Sequence, residues 1–411
     1  MPARQATADA AQRKLLGAWY TPPALVDHVV SLTLPARRGG VLSVLDPACG
    51  DGRFLTAVRD ACGGQVRMTG VDVDPGAVAA ARVGVPGAEI VEDDALATEW
   101  AGRTFDVVIG NPPFRNQLAR ATSRGGSSRF GGGPYADTAA EFLALAMRLA
   151  RPDGGRVGLV LPQSVLTTRD AAGIRADALA RGALVSMWSS PTMLFDASVR
   201  TCVLVFELGA TQREVARTFG TSFVPRSSAS LDGSWGRLLL DAASQLAAAG
   251  GATLGDIAAF TVDFRDQYYG LVGAVSDDAD GPPLITSGLI DPGRCMWGER
   301  PVRFAKQRYA APRVDVSKLT PKLQRWAESR LVTKILVANQ TRGIEAVVDP
   351  DGEWLPSVPV ITCTSDRLDR AYAVLSSPTA SQWVLEHAAG SGLSADTVRV
   401  TPALLSSIPL P

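Results

Sequence analysis

Histidine and cysteine are scarce in this 411-residue sequence, which contains two histidines and five cysteines. With only His28 and His387, a histidine-centred catalytic triad or a histidine-rich metal site has little material. The cysteines are scattered, odd in number and never spaced as Cys-x-x-Cys, which argues against a disulfide framework and a zinc site. We therefore expect no metal site, and many hydrolase classes are disfavoured.

Long apolar runs are also missing. The sequence has no stretch of about 18 apolar residues, the length that a membrane-spanning helix needs. The polar, alanine-rich residues Met1–Lys14 lack the apolar core of a signal peptide. We expect a cytoplasmic protein without membrane association.

The length of the chain suits two domains, each with its own hydrophobic core, and we expect them to cover residues 1–235 and 236–411.

Positive charge is unevenly distributed, although the 41 basic and 41 acidic residues balance. Between residues 294 and 342, twelve basic side chains accompany three acidic ones, with four aromatic residues interleaved. Such a stretch is typical of a surface that binds phosphates, and a solvated charged surface is an equally good explanation. The basic residues are Arg294, Arg300, Arg303, Lys306, Arg308, Arg313, Lys318, Lys322, Arg325, Arg330, Lys334 and Arg342.

Short apolar runs alternate with helical stretches through the first half. This alternation predicts a doubly wound, mostly parallel α/β sheet of about seven strands, closed by an antiparallel pair. The polar segment Thr211–Gly233 is expected to be a linker, followed by a mixed α+β domain broken up by prolines. The predicted strands are Val41–Leu45, Val66–Val71, Ala88–Val91, Phe105–Ile109, Arg156–Leu161, Leu184–Trp188 and Cys202–Glu207.

A glycine-rich turn follows the first predicted strand, where a cofactor can approach the backbone closely. The turn begins with Asp46, whose carboxylate would repel a pyrophosphate but attract a cation such as the methionine ammonium of S-adenosylmethionine. We expect S-adenosylmethionine to be the cofactor. The candidate binding residues at this turn are Asp46, Ala48, Cys49, Gly50 and Gly52.

Acidic residues follow the next two predicted strands as well. Asp72 lies about twenty residues beyond the turn, a spacing typical of a carboxylate that binds ribose hydroxyls. At the third strand end, Asp94, or else Asp93, is expected to accept from the adenine amino group, with a backbone amide near Ala95 meeting a ring nitrogen. Each acid alone could be a turn or cap residue. Acids at three successive strand ends favour a cofactor site.

The fourth predicted strand leads into Asn111-Pro112-Pro113-Phe114. An exocyclic aromatic amine is a poor nucleophile because its lone pair is delocalised into the ring. The Asn111 side-chain oxygen and the Pro112 carbonyl can accept its two protons, held rigid by the two prolines. Phe114 can stack on a base flipped out of the duplex. A tight turn after a strand is the alternative explanation of this tetrapeptide.

With these motifs in this order, the chain resembles the gamma-order, Taq-type adenine-N6 DNA methyltransferases of restriction-modification systems. Gly17–Pro22 is similar to the N-terminal cofactor-binding motif of that family. Phe195 falls where the family places a second aromatic residue against the flipped base, although a core phenylalanine explains it equally well. The resemblance therefore implies cofactor roles for Trp19, Tyr20, Thr21 and Pro22.

The resemblance implies a site-specific enzyme that methylates N6 of a flipped-out adenine in double-stranded DNA, in a restriction-modification or phage-defence system. Because the recognition domain comes last in this family order, we expect Arg303, Lys306 and Arg308 to contact DNA. We also expect a monomer without endonuclease activity, associated functionally with a separately encoded restriction or defence component.

Other substrates stay open, because the Asn-Pro-Pro-aromatic tetrapeptide specifies chemistry on a planar amino group but not the molecule that carries it. The alternatives are an amino-methyltransferase acting on an RNA base, on cytosine N4 or on glutamine amides of proteins. A non-catalytic DNA-binding subunit with a methyltransferase fold is another, and it would predict a damaged tetrapeptide.

Overall fold

The structure, a computed structural model, describes residues 21–35, 40–63, 65–114, 130–133, 136–190, 199–231, 234–240, 251–263, 265–392 and 397–411. The chain divides into two compact units, Met1–Asp241 and Ala242–Pro411. In the described residues, no helix combines the length and the apolar character needed to cross a membrane.

One sheet forms the centre of the first unit. Its strands are β1 (Leu42–Asp46), β2 (Val66–Asp72), β3 (Glu89–Glu92), β4 (Val107–Gly110), β5 (Arg156–Pro162), β6 (Gly182–Ser189), β7 (Thr201–Leu208), β8 (Val215–Phe219) and β9 (Val224–Ala229). They lie in the order β3-β2-β1-β4-β5-β7-β6-β8-β9. Strands β1 to β5 pair in parallel, and β7 runs antiparallel between β5 and β6. All seven predicted strands are confirmed.

The prediction of a linker at Thr211–Gly233 is wrong, because β8 and β9 extend the sheet there. Strand β8 pairs in parallel with β6, and β9 pairs antiparallel with β8. Strand β9 lies at the edge of the sheet, and all of its residues are exposed or half-buried. An edge strand does not need the apolar run that marks a buried strand, so its polar sequence resembles that of a linker.

Helices cover both faces of this sheet, as a doubly wound fold requires. They are α1 (Pro23–Thr33), α2 (Arg53–Ala61), α3 (Pro75–Gly84), α4 (Thr138–Leu149) and α5 (Ala172–Arg181). Alternate strand residues point to opposite faces. Leu45 and Val108 accordingly pack in one buried cluster with α4 and α5, whereas Val44, Val107 and Ile109 pack in a second cluster with α1, α2 and α3.

The second unit mixes short strands with short helices. Its strands are β10 (Ala259–Val262), β11 (Val275–Ser276), β12 (Leu284–Ile285), β13 (Ile290–Asp291), β14 (Arg294–Cys295), β15 (Val302–Phe304), β16 (Gln307–Tyr309), β17 (Arg313–Val314), β18 (Lys334–Val337), β19 (Gln340–Thr341), β20 (Ala346–Asp349), β21 (Leu355–Pro356), β22 (Ile361–Thr364) and β23 (Val398–Arg399). Its helices are α6 (Arg265–Leu271), α7 (Pro321–Arg330), α8 (Leu368–Leu375), α9 (Pro378–Ala388) and α10 (Pro402–Ser406). The largest sheet is antiparallel, in the order β10-β22-β18-β20.

Candidate functional site

The carboxyl ends of four neighbouring parallel strands bring the predicted site residues to one edge of the sheet. Asp46 is the last residue of β1, Asp72 the last of β2, and Gly110 the last of β4. Strand β3 ends at Glu92, opposite Asp72, immediately before Asp93. In open α/β sheets, ligands bind in the crevice outside this edge. The described acids and the tetrapeptide therefore share one site.

Asp46 is a buried carboxylate, only 1% exposed. Its Oδ1 accepts a hydrogen bond from the Ala48 amide at 3.1 Å, while Oδ2 is buried without a hydrogen-bond partner among the described residues. Burial, with smaller contributions from the nearby charges of Asp72 and Asp51, raises the pKa of Asp46 to about 8 despite the opposing effect of the Ala48 hydrogen bond. A buried carboxylate is costly unless a cation or hydrogen bonds compensate it. Oδ2 therefore fits the cationic ammonium predicted here.

The turn after β1 is closed by backbone hydrogen bonds. The Cys49 amide donates to the Val71 carbonyl at 2.9 Å, and the Gly52 amide donates to the Cys49 carbonyl at 2.9 Å. Gly52 has a φ of 83°, and a β-carbon there would lie 2.5 Å from Cγ2 of Val85. Both the backbone conformation and the available space therefore require glycine. Burial raises the pKa of the Cys49 thiol, so a thiolate is disfavoured at this position.

Asp72 connects this turn to the end of β2. Its Oδ2 accepts from the Gly50 amide at 2.8 Å, and its Oδ1 accepts from the Asp74 amide at 2.9 Å. Each carboxylate oxygen has a second lone pair, which leaves room for a ribose hydroxyl. The spacing of about twenty residues predicts that Asp72 binds ribose hydroxyls. Its hydrogen bonds to the Gly50 and Asp74 amides, which stabilise the turn, are visible only in the structure.

The loop after β3 leaves Asp94 with more unused acceptor capacity than Asp93. Both carboxylate oxygens of Asp93 accept hydrogen bonds within the loop, from the Asp94 amide at 2.8 Å and the Thr98 hydroxyl at 2.9 Å. Asp94 uses Oδ1, which accepts from the Leu96 amide at 3.0 Å. Ala95 is buried, and its carbonyl accepts from Trp100 Nε1 at 3.0 Å. These bonds hold the loop in a defined shape.

The tetrapeptide Asn111–Phe114 begins directly beside Asp46. A β-carbon on Gly110 would lie 2.4 Å from Asp46 Oδ1, so the backbone of β4 approaches this carboxylate closely. Pro112 is buried, Asn111 and Pro113 are half-buried, and the half-buried Phe114 packs against both hydrophobic clusters of the unit. The predicted reaction centre and the predicted ammonium-binding acid are therefore neighbours.

Thr21 contacts the tetrapeptide, which the sequence did not indicate. It is 1% exposed, and its Oγ1 accepts a hydrogen bond from Asn111 Nδ2 at 3.0 Å. Pro22 precedes α1, and its carbonyl accepts from the amides of Leu25 and Val26 at 3.0 and 3.1 Å. The other predicted residues of this motif, Trp19 and Tyr20, lie outside the described residues, as does Phe195.

In the second unit, the predicted DNA-binding residues share one β-hairpin. Strands β15 and β16 pair so that Arg303 lies directly opposite Arg308, and Lys306 lies in the connecting turn. All three side chains are exposed, whereas Val302 and Phe304 are buried beneath them. Strand alternation thus separates an apolar inner face from a basic outer face.

The basic stretch around this hairpin carries less available charge than its composition suggests. Within the described part of the chain, at least five of its twelve basic residues form ion pairs, with Glu299, Asp291, Asp315, Asp263 and Asp349. These five basic residues are Arg294, Arg300, Lys318, Arg330 and Lys334. Among the residues that the structure covers, the exposed ones without an ion pair include Arg303, Lys306, Arg308, Lys322 and Arg325.

The site and its fold agree with a comparison against protein families. The profile of the family N-6 DNA Methylase matches residues 5–223. The chain belongs to the N-6 DNA methylase family. This membership confirms the predicted adenine-N6 methyltransferase family of restriction-modification systems and its cofactor, S-adenosylmethionine. The gamma-order subtype stays a prediction.

Curated relatives match part of this chain. It is 44% identical over 104 residues to the type II methyltransferase M.TthHB8I of Thermus thermophilus, covering 25% of this chain and 22% of that protein. It is 30% identical over 114 residues to the methylase subunit of the type I restriction enzyme MjaIX of Methanocaldococcus jannaschii. This match covers 25% of this chain and 20% of that protein. The matched segment therefore spans about a fifth of the length of these relatives.

Among solved structures, the type IIL restriction-modification enzyme MmeI, determined in complex with DNA, has a similar fold. Its TM-score is 0.62 at 12% identity, and the likeness covers 89% of this chain and 61% of that one. At this identity the likeness shows the fold alone.

Proposed function

We propose that this protein transfers a methyl group from S-adenosylmethionine to N6 of an adenine in double-stranded DNA, within a restriction-modification or phage-defence system. The observation that carries the proposal is the close approach of β4 to Asp46, which sets an intact Asn111-Pro112-Pro113-Phe114 beside a buried carboxylate whose Oδ2 has no hydrogen-bond partner among the described residues. The names of the relatives, a type II methyltransferase and a type I methylase subunit, support the setting.

The cofactor site is built from three acids and a turn. S-adenosylmethionine, when bound, supplies a methyl group already activated on a sulfonium. Asp46 Oδ2 would hold its ammonium group, Asp72 would accept from its ribose hydroxyls, and Asp94 would accept from its adenine amino group. Backbone groups of Ala48, Cys49, Gly50, Gly52 and Ala95 would also contact it. The resemblance to the family motif assigns Trp19, Tyr20 and Pro22 to the same cofactor. This arrangement binds and orients the methyl donor, which is the main requirement for in-line transfer.

The tetrapeptide prepares the nucleophile. Asn111 Oδ1 and the Pro112 carbonyl accept the two protons of the target amino group, which draws its lone pair out of conjugation with the ring. Pro112 and Pro113 hold these acceptors because their φ angles are restricted. A duplex adenine reaches this edge only after it is flipped out, and Phe114 and Phe195 then stack on it.

The hairpin β15–β16 supplies the contact with the DNA backbone. Arg303, Lys306 and Arg308 are exposed on its outer face, and no ion pair within the described part of the chain compensates them. Arginine and lysine side chains in this state bind phosphates and make affinity dependent on salt.

The test is methyl transfer from labelled cofactor to DNA, RNA and protein acceptors, followed by nucleoside analysis. We expect N6-methyladenine in DNA. Asn111→Ala should lower the transfer rate by about 100-fold or more while cofactor affinity is retained. Asn339→Ala is the matched control, because it removes another buried amide, one that donates to the Val400 carbonyl in the second unit.

Each alternative has its own outcome in this assay. Label in RNA or protein alone would overturn DNA as the substrate, and N4-methylcytosine would overturn adenine. Binding of DNA without transfer to any acceptor would support the non-catalytic subunit.

A further inference from the structure

We propose that Thr21 is a positioning residue for methyl transfer, which orients the Asn111 amide so that Oδ1 rather than Nδ2 faces the target amino group. The inference rests on the proposed function, because it concerns the same reaction centre. It assigns to Thr21 a role different from the cofactor binding that its motif implies.

The hydrogen bond that carries this inference joins two distant parts of the chain. Asn111 Nδ2 donates to Thr21 Oγ1 at 3.0 Å across 90 residues of sequence. Thr21 is buried at 1% exposure, so water does not readily replace this hydroxyl. A buried amide without such a partner bears the full cost of desolvation.

Orientation matters because the two ends of an asparagine amide are similar in size but opposite in chemistry. Oδ1 accepts hydrogen bonds and Nδ2 only donates them. The terminal torsion of asparagine is broad and roughly two-fold, so the rotamer alone does not select one end. An amide turned the wrong way would present Nδ2 to the amino protons of adenine, donor against donor. By accepting from Nδ2, the Thr21 hydroxyl holds the amide in the orientation that leaves Oδ1 for the target amino group.

The backbone of Thr21 is itself held by the turn that follows β1. Its carbonyl accepts from Arg53 Nη1 at 2.6 Å. The Arg53 guanidinium also binds the Asp51 carboxylate through Nε at 2.9 Å and Nη2 at 2.7 Å. Asp51 and Arg53 flank Gly52, so the turn that approaches the cofactor also fixes the backbone of Thr21. The orientation of Asn111 is therefore tied to the geometry of the cofactor site.

The test compares Thr21→Val, which replaces the hydroxyl by a methyl group of similar size, with Thr21→Ser, which keeps it. In the full-length protein, single-turnover methylation of DNA at saturating S-adenosylmethionine should be slower by about tenfold to a hundredfold in Thr21→Val. Thr21→Ser should restore the rate. The dissociation constant of S-adenosylmethionine, measured by calorimetry, should be unchanged in both variants.

Thr33→Val is the matched control, because Thr33 is a second buried threonine, at the end of α1, whose Oγ1 donates to the Val29 carbonyl at 2.6 Å. It should leave the methylation rate unchanged. If valine is not accommodated at position 21, Thr21→Ala removes the hydroxyl without adding a methyl group, and its expected reduction of the rate is the same.

If Thr21→Val binds S-adenosylmethionine more weakly but methylates at the normal rate when saturated with it, Thr21 is a cofactor-binding residue. That result would overturn the inference. Equally slow methylation in Thr21→Val and Thr21→Ser would also overturn it, because the hydroxyl would then not be the cause. An active wild type with an unaffected Thr21→Val refutes the inference alone, whereas a wild type that does not methylate adenine in DNA refutes the proposed function on which it rests.

Discussion

Asp46 is a buried carboxylate whose charged form is stabilised only weakly, by a hydrogen bond from the Ala48 amide. Burial raises its pKa to about 8, well above the ordinary value of 3.8. Between these two pH values the folded state binds more protons than the unfolded state. The free energy of unfolding of the cofactor-free protein should therefore fall as the pH rises from about 4 to about 8.

Asp46→Asn tests this dependence, because the amide does not ionise. We expect the melting temperature of the cofactor-free protein to fall less steeply between pH 5 and about 8 in Asp46→Asn than in the wild type. Asp60→Asn, which changes a carboxylate that is 64% exposed, should leave the slope unchanged. Identical slopes in wild type and Asp46→Asn would show that Asp46 is compensated in the folded protein.

Asp46→Asn also tests whether Asp46 contributes to the binding of S-adenosylmethionine. Saturating S-adenosylmethionine should reduce the pH dependence in the wild type, because its cationic group favours the charged carboxylate. In Asp46→Asn the cofactor should bind more weakly. Unchanged cofactor affinity would assign the ammonium group to another residue.

At the scale of elements, the hairpin β15–β16 has features that cost stability. Arg303 and Arg308 are directly opposite, and like charges in that position repel. Both turn residues, Ala305 and Lys306, have positive φ angles of 48° and 69°, which usually favour asparagine or glycine. The Tyr268 hydroxyl accepts from the Ala305 amide at 3.2 Å and braces the turn. A polyanion bound to the outer face would offset the repulsion.

Arg308→Glu should therefore act in opposite directions on stability and on binding. An Arg303–Glu pair across the hairpin should raise the free energy of unfolding by about 0.2–1 kcal/mol, measured by chemical denaturation. Affinity for DNA should fall, and the slope of log affinity against log salt should become shallower by about one for each phosphate that the variant no longer binds.

Lys318→Gln is the control for this element. Lys318 belongs to the same basic stretch but pairs with Asp315 at 3.2 Å, so its removal should change DNA affinity less. If Arg308→Glu binds DNA with the affinity and salt dependence of the wild type, the hairpin is not part of the DNA-binding surface.

For the whole molecule, hydrophobic burial is organised by unit. Among the residues that the structure describes, two buried clusters are built from the first unit and three from the second. Each unit therefore has the apolar core that independent folding requires.

Separate expression of residues 1–241 and 242–411 tests this division. We expect the first fragment to bind S-adenosylmethionine and the second to bind DNA in a salt-dependent manner, with neither alone methylating DNA at the rate of the intact chain. Calorimetry and a DNA-binding titration measure the two properties. A first fragment that does not bind the cofactor would show that its site needs the second unit.

The sequence by itself determined the parallel strands of the first unit and the residues at their carboxyl ends. Asp46, Asp72 and Asn111 could be predicted because each directly follows or ends an apolar strand, and parallel strands bring such ends to one edge. Strand β9 could not be predicted in this way. Neither could the burial of Arg217 on β8, whose guanidinium donates to the carbonyls of Ser227, Leu238 and Leu240.

Only the tertiary structure decided which side chains are partners. The hydrogen bond between Thr21 and Asn111 depends on how α1 packs against the sheet, and no spacing rule relates two residues 90 positions apart. Part of the charge of the basic stretch is likewise neutralised by Asp263, Asp291 and Asp349, which lie outside it in sequence. Local patterns specify backbone conformation because they act over a few residues, whereas hydrogen bonds and ion pairs between side chains are set by long-range packing.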